Sequence, residues 1–409
     1  MPGRMRCPPV RRLAAAACLA AAVPAVARAQ PPQAGPPEAP RLLIGGEIAA
    51  SIAPQDDEAF FNYTDYDQDG LRLARFRLLG EWRAADVLRF VGELRLENGR
   101  DVELAAWYLR WRPRRDWPLD VQAGRIPPVI GAFPRRAYGR DNAVTGAPLM
   151  YQYLTSLRTD AAPATADDLL RMRGRGWQPF FPIGSPAIGP GLALVSSTEW
   201  GTGAEAIWRA PRVEIAGAVT RGAPSEPAVF DDGAGVQWSG RAAVDLPGGA
   251  RVGLSGARGR WLGRDVLRLL PDESGRDGTQ TVAGVDAEYG YGRWLVRAEW
   301  LRAGYALPLA APAGAGLDLS AHSGYAEARW RPHPRWQVAA RAEYLRFSHV
   351  AGQAFADGPW DAPVERLEAA VNYRVNRHLD VRAGWQQNWR DGGRIHRRGF
   401  PVVAVLYWF

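Results

Sequence analysis

From residue 41 onward the chain repeats one pattern: segments of strict alternation with one apolar face and one polar or charged face. In "WQVAARAEY" (336–344), Trp336, Val338, Ala340, Ala342 and Tyr344 share a face, while Gln337, Arg341 and Glu343 share the other. The segments "LEAAVNYRV" (367–375), "LDVRAGWQQNW" (379–389) and "VQWSGRAAVDL" (236–246) follow the same scheme. Period-two alternation marks strands whose two faces meet different surroundings. Two packed sheets would also alternate. Three features favour a closed barrel that crosses a bilayer at a tilt. The segments run about ten residues, Trp or Tyr stands near the ends of the apolar faces, and Arg and Glu occur together on the opposite faces, as in a wet lumen.

Sixteen strands are predicted, at 41–51, 70–82, 87–98, 102–112, 118–126, 191–209, 212–221, 235–246, 250–262, 279–289, 292–304, 319–331, 335–348, 363–375, 378–389 and 399–409. In the sixth, "GTG" (201–203) marks a bulge or a later start. Short connections such as "PGG", "GYG" and "NR" alternate with long ones at 52–69, 127–190, 222–234, 263–278, 305–318, 349–362 and 390–398. An even count leaves both ends of the barrel on the short-turn side. The fold class is therefore all-β, a transmembrane antiparallel barrel of about sixteen strands with a long loop after strand five that folds inward. The terminal "PVVAVLYWF" (401–409) becomes its last strand, pairing with the first so that no edge stays free. Val403, Val405, Tyr407 and Phe409 fall on its outward face.

The first 29 residues read as a cleaved signal peptide: an arginine-bearing start, the apolar "LAAAACLAAAVPAV" (13–26) and an A-x-A site at 27–29. A Pro-rich leader occupies 30–40, and the barrel takes 41–409. A lipoprotein signal ending at Cys18 is the alternative. Both cysteines, Cys7 and Cys18, lie in the signal, so the exported chain has no thiol chemistry. The formal charge of +8 falls to +3 once the five arginines of 1–29 are removed, which gives no basis for a nucleic-acid partner. No Ser-His or other nucleophile–base constellation stands out, so the reading is non-enzymatic.

The fifth strand runs into "QAGRIPPVIGAFPRR" (122–136), where Gly124, Arg125, Pro128 and Gly131 form a Gly-basic-x-x-Pro-x-x-Gly pattern. This stretch resembles the phosphate-selective porin O/P family of Gram-negative outer-membrane porins. The terminal Phe409, with Tyr407 at the alternate position, resembles the signal by which outer-membrane barrels are handed to the barrel-assembly machinery. The resemblance implies a sixteen-stranded porin, often a homotrimer, sitting in outer-membrane lipid and lipopolysaccharide and passing small anions or other hydrophilic solutes by diffusion without a cofactor. One departure is plain: the family's anion ladders use Lys and Arg, and this chain has no Lys.

The connection 127–190 is far longer than an ordinary loop and is expected to narrow or plug the pore. It carries Arg135, Arg136, Arg140, Arg158, Arg171, Arg173 and Arg175 against Asp141, Asp160, Asp167 and Asp168. A helix is predicted over 165–177, capped by Thr165. These arginines either form a basic constriction or pin the loop to lumen carboxylates. Lumen-facing candidates are Arg75, Arg77, Arg89, Arg95, Arg241, Arg297, Arg341 and Arg382, with Glu93, Glu299 and Glu343 among the acids. "DYDQDG" (65–70) begins like a calcium loop but has Phe76 where the bidentate Glu belongs, so no metal is assigned. The sequence reading is a porin with a mild anion preference; a plugged or structural, adhesive barrel is the alternative.

Overall fold

The computed structural model describes residues 41–54, 71–97, 102–114, 116–134, 141–230, 233, 235–271, 277–311, 316–393 and 395–409. Sixteen antiparallel strands close into one barrel. They are β1 (Leu42–Ile52), β2 (Leu71–Ala85), β3 (Leu88–Glu97), β4 (Glu103–Trp111), β5 (Leu119–Ile126), β6 (Gly201–Arg209), β7 (Val213–Arg221) and β8 (Val236–Leu246). The second half comprises β9 (Ala250–Arg260), β10 (Thr279–Tyr291), β11 (Trp294–Pro308), β12 (Gly316–His333), β13 (Trp336–Phe347), β14 (Val364–Arg374), β15 (Leu379–Asp391) and β16 (Ile395–Trp408). Each strand pairs with its neighbours in sequence, and β1 closes on β16 from Glu47 opposite Trp408 to Ile52 opposite Val403. The last residue completes the seam: Gly46 and Phe409 exchange both backbone hydrogen bonds at 3.1 Å.

Alternation dictates the two faces. Val403, Val405, Tyr407 and Phe409 are exposed on the outside, as are Leu42, Ile44 and Ile48 of the paired strand. Many of the inward residues are charged and buried among one another. Aromatic pairs ring the outside at the short-turn end: Trp82 on Phe90 at 5.4 Å, Trp294 on Trp330 at 5.8 Å and Trp336 with Tyr373 at 4.7 Å.

The sixth strand differs from its predicted span of 191–209. It starts at Gly201. Residues 191–196 spend their backbone groups elsewhere: Gly191, Leu192, Val195 and Ser196 donate to the carbonyls of Gly176, Leu157, Met150 and Pro224. A segment bonded to loop carbonyls cannot also join a ladder, so the long connection extends to residue 200. The connection predicted at 305–318 shrinks the other way, because β11 and β12 pair out to Pro308 opposite Gly316. The signal, the leader and the "DYDQDG" segment lie outside the described residues.

Candidate pore and its arginine vestibule

The described residues of the connection 127–200 lie against the inner wall of the barrel, and its entry explains the glycines Gly124 and Gly131. Gly124 has φ +135°, and a side chain there would strike the backbone of Trp107 and Tyr108. Gly131 has φ +68°, and a side chain there would strike Glu299 and Tyr151. Both positions therefore require glycine. Arg125 fixes the departure by donating to the carbonyls of Trp200 and Leu104 at 2.9 and 2.7 Å.

Inward side chains of β11–β15 then hold residues 131–134 and 141–152. Glu299 accepts from the Ala132 amide at 3.0 Å and the Tyr151 hydroxyl at 2.5 Å. Glu343 accepts from the Leu149 amide at 2.6 Å. In return Arg341, Arg366, Asn372 and Arg382 donate to the carbonyls of Gly146, Ala147, Ala143 and Val144 at 2.6–3.1 Å. Arg341 is fully enclosed by Glu327, Glu343 and Glu368. Removing a single member of such a set leaves a buried charge unpaired, which costs about 3–5 kcal/mol.

Packing does the rest. Leu149, Met150, Tyr153, Leu157 and Phe181 of the connection are buried with Leu301, Tyr305, Leu307, Leu319, Leu345 and Phe347 of the wall and Trp360 of the connection between β13 and β14. Each such side chain contributes roughly 1.5–3 kcal/mol on burial. These wall residues were missed in the sequence reading, although their signal was there. In β11 the register that is charged at Arg297 and Glu299 turns apolar at Leu301, Ala303, Tyr305 and Leu307. An inner face that changes from charged to apolar along one strand announces something packed inside.

The helix predicted over 165–177 is shorter than expected. α1 (Leu149–Gln152) precedes it, and α2 runs only from Ala166 to Arg171. Thr165 caps α2 as expected, in a reciprocal box with Asp168. Gly174, at φ +74°, ends it. Asp167 ties α2 to the connection 348–363 by accepting the amides of Gln353, Ala354 and Phe355 at 3.0, 2.9 and 3.2 Å. The Ala354 amide, aided by Phe355 and Gln353, holds the Asp167 carboxyl below its ordinary range. Asp361 of the same connection is buried and accepts from the Ser156 amide and hydroxyl, the Tyr153 hydroxyl and the Gly174 amide at 2.6–3.2 Å.

This geometry relocates the loop arginines. Arg158 is buried and its guanidinium is used by Asp160 and by the carbonyls of Pro179 and Ala187, all at 2.6–3.0 Å. Arg171 pairs with Asp168 at 2.6 Å on the exposed side of α2. Arg173 stands beside Gly358 and Gly393, and Arg175 is exposed. Arg171, Arg173 and Arg175 thus cluster at the long-connection mouth rather than around the cavity described next. The sequence reading offered them as constriction or pinning residues; here Asp167 ties α2 to the connection 348–363 and Arg171 pairs locally with Asp168. Arg135, Arg136 and Arg140 lie outside the described residues.

Every lumen-facing candidate is on an inner face. Arg77 pairs with Glu93 at 2.7 Å, Arg89 with Glu81 at 2.7 Å, Arg95 with Glu103 at 2.6 Å, Arg241 with Asp286 at 2.6 Å and Arg297 with Glu288 at 2.6 Å. Arg75 lies near Glu47 at 3.4 Å and Glu97 at 3.9 Å.

Two cavities share this lumen. A cavity of about 590 Å³ separates the connection from β1, β2, β15 and β16. Arg75, Arg158 and Arg382 line it together with Glu97, Asp160, Glu199, Glu226 and Asp380. A second, of about 300 Å³, lies at the short-turn end. It is lined by Arg297, Arg329, Arg331, Arg335, Arg374 and Arg382 against Asp141 and Asp380. Asp380 and Arg382 border both, so the two cavities are neighbours across that pair. Arg329, Arg331, Arg335 and Arg374 were not among the candidates read from sequence.

No family model and no curated protein matches the chain. Solved structures do. OmpT, an outer membrane protein of Vibrio cholerae, superimposes with a TM-score of 0.54 at 12% identity over 90% of this chain and 97% of that one. An anion-selective porin from Comamonas acidovorans gives 0.53 at 11% identity over 90% and 99%. The outer membrane channel DcaP of Acinetobacter baumannii gives 0.53 at 11% identity over 90% and 97%. The chain has a porin-type barrel fold. At these identities the likeness is one of fold, and the porin O/P resemblance at 122–136 is neither extended nor replaced by it. Among the described residues of this barrel, no group of three His, Cys, Asp or Glu is placed to hold a metal; His322 faces outward on β12 and His349 pairs with Pro359.

Proposed function

We propose that the exported chain is an outer-membrane porin for passive diffusion of small hydrophilic solutes and ions, with a mild preference for anions. The observation that carries this reading is the pair of neighbouring lumen cavities, one of about 590 Å³ and an arginine-rich one of about 300 Å³, that share Asp380 and Arg382. Fixed charge along a pore sets which ions dwell there. An excess of guanidinium groups at the short-turn end favours anions, while the carboxylates of the loop-side cavity moderate that preference. The connection 127–200 acts as the constriction, with the 590 Å³ cavity lying between it and β1, β2, β15 and β16. Cleavage of 1–29, insertion by the barrel-assembly machinery through the terminal Tyr407 and Phe409, and a homotrimeric state belong to the same reading.

Reconstitution of the purified protein in planar bilayers tests it. Discrete conductance steps are expected, with a reversal potential in a KCl gradient displaced modestly toward chloride. The apolar packing of the connection inside the barrel favours a second reading, a plugged barrel. Properly assembled protein that produces no steps would establish that reading and end the channel proposal.

A further inference from the structure

On the outside of β11, β12 and β13, three basic side chains stand directly opposite one another. Arg302 faces His322 across one ladder, and His322 faces Arg346 across the next. Partners so placed have Cβ atoms about 4.5–5.5 Å apart. All three point outward, since they alternate with the buried Leu301 and Ala303, Ala321 and Ser323, and Leu345 and Phe347. Among the described residues Arg302 has no hydrogen-bond or ion-pair partner, and Arg346 meets only Glu365 as a carboxylate partner.

The row has a fixed depth. Below it, the outward positions of these strands are apolar or small as far as the stacked Trp294 and Trp330 and the tilted Trp336 near the short turns. Eight residues separate Trp294 from Arg302 and Trp330 from His322. At about 3.3 Å per residue and a tilt of about 35–45°, that span rises roughly 19–22 Å, a few Å short of the roughly 25 Å apolar band of an outer-membrane barrel, a gap that arginine side chains cross by reaching toward water. The basic row therefore marks the band's upper margin, on the side of the long connections. Immediately beneath it lies a groove of about 650 Å³, whose outward surface includes Ala298, Gly324, Ala326 and Ala342 between Trp300 and Tyr344. The absent side chain of Gly324 is what lets the Tyr344 ring lie against the wall.

We propose that this surface binds one molecule of a phosphorylated outer-leaflet glycolipid of the lipopolysaccharide type, with a phosphate against Arg302, His322 and Arg346 and an acyl chain in the groove. Charge complementarity identifies the occupant. Guanidinium groups at an apolar margin match phosphate through charge-assisted bonds, and a groove floored by small residues accepts a chain that a flat wall would not. The site rests on the outer-membrane placement proposed above but not on conduction.

The test uses the full barrel purified in mild detergent, with retained lipid read by native mass spectrometry and affinity by titration with purified lipopolysaccharide. The double variant Arg302→Gln/Arg346→Gln is expected to lose roughly tenfold or more in affinity. Enzymatic removal of the lipid's phosphates should produce a similar loss. Glu365→Gln, which removes the competing carboxylate, should bind a few-fold more tightly. Heat-modifiable migration checks that each variant is folded, and bilayer conductance is recorded in parallel. A conducting wild type that binds lipopolysaccharide no better than phosphatidylglycerol would overturn the proposal. So would folded variants with unchanged affinity, or variants whose only change is in oligomeric state, which would make this face a contact between copies. A silent barrel that still retains the lipid would end the channel reading and leave the site standing.

Discussion

The two lumen cavities are built from the same wall yet carry opposite character. The larger one is bordered by the inward connection and has more carboxylates than arginines. The short-turn vestibule has six arginines and two aspartates. The difference arises from who uses each charge. Beside the connection, inward arginines such as Arg341 and Arg366 are consumed by loop carbonyls and neighbouring carboxylates. At the vestibule Arg297 and Arg329 still donate to the Asp141 carbonyl. There Arg331 reaches only the Gln337 side chain at 3.1 Å, and Arg374 meets Asp380 at 3.4 Å. A loop that enters a barrel therefore does more than narrow it. Where it rests it takes up inner-wall charges, as at Arg341 and Arg366.

That contrast can be broken most forcefully at Asp361. Asp361→Ala removes the acceptor for the Ser156 and Gly174 amides and the Tyr153 hydroxyl, leaving buried donors at about 1–3 kcal/mol each. The connection should loosen while the strand ladders persist. Single-channel recordings are expected to show a larger and noisier conductance, and limited proteolysis should cut within 153–176. An unchanged trace and digest would mean that apolar packing alone holds the loop.

Neutralising the vestibule should come next in size. Arg331→Gln/Arg335→Gln/Arg374→Gln is expected to lower the chloride-to-potassium permeability ratio several-fold, measured from the reversal potential. The converse change beside the loop, Glu97→Gln/Glu199→Gln, should raise that ratio by less, because Arg75 and Arg95 already offset carboxylates there. Both shifts should shrink at 1 M salt, where the Debye length is about 3 Å. Equal and opposite shifts would show that the two cavities contribute alike.

The smallest effect concerns the rim. The folded-state pKa of Asp167 is depressed, so its contribution is present above the ordinary carboxylate pKa and is lost as pH falls through the depressed value. Protection factors of the Gln353, Ala354 and Phe355 amides, corrected for intrinsic exchange, should fall in that acid window. Asp167→Asn should abolish the pH dependence. A variant that still shows it would assign the transition to another group.

Much of the barrel was legible because a strand exposed to lipid on one side and water on the other must alternate, and sixteen such segments were countable. The later start of β6 was flagged by Gly201 and Gly203 but decided by backbone bonds to residues 150–176, which no local pattern displays. The lumen faces of Arg77, Arg241 and Arg341 followed from parity alone. The arginines at 171–175 did not follow, because their position depends on Asp167 reaching across 186 residues to the amide of Gln353.

What the sequence determined by itself was the strand order and the face on which each wall residue stands, from period-two geometry, with strand length, aromatic placement and paired inward charges favouring a closed barrel whose seam falls at Phe409. What only the tertiary structure decided was which charges stay available. Two arginines on the same inner face are equivalent in sequence, yet Arg341 is surrounded by three glutamates and a carbonyl while Arg331 borders open cavity. That distinction depends on where a long connection comes to rest, and its resting place is set by contacts between residues far apart in the chain.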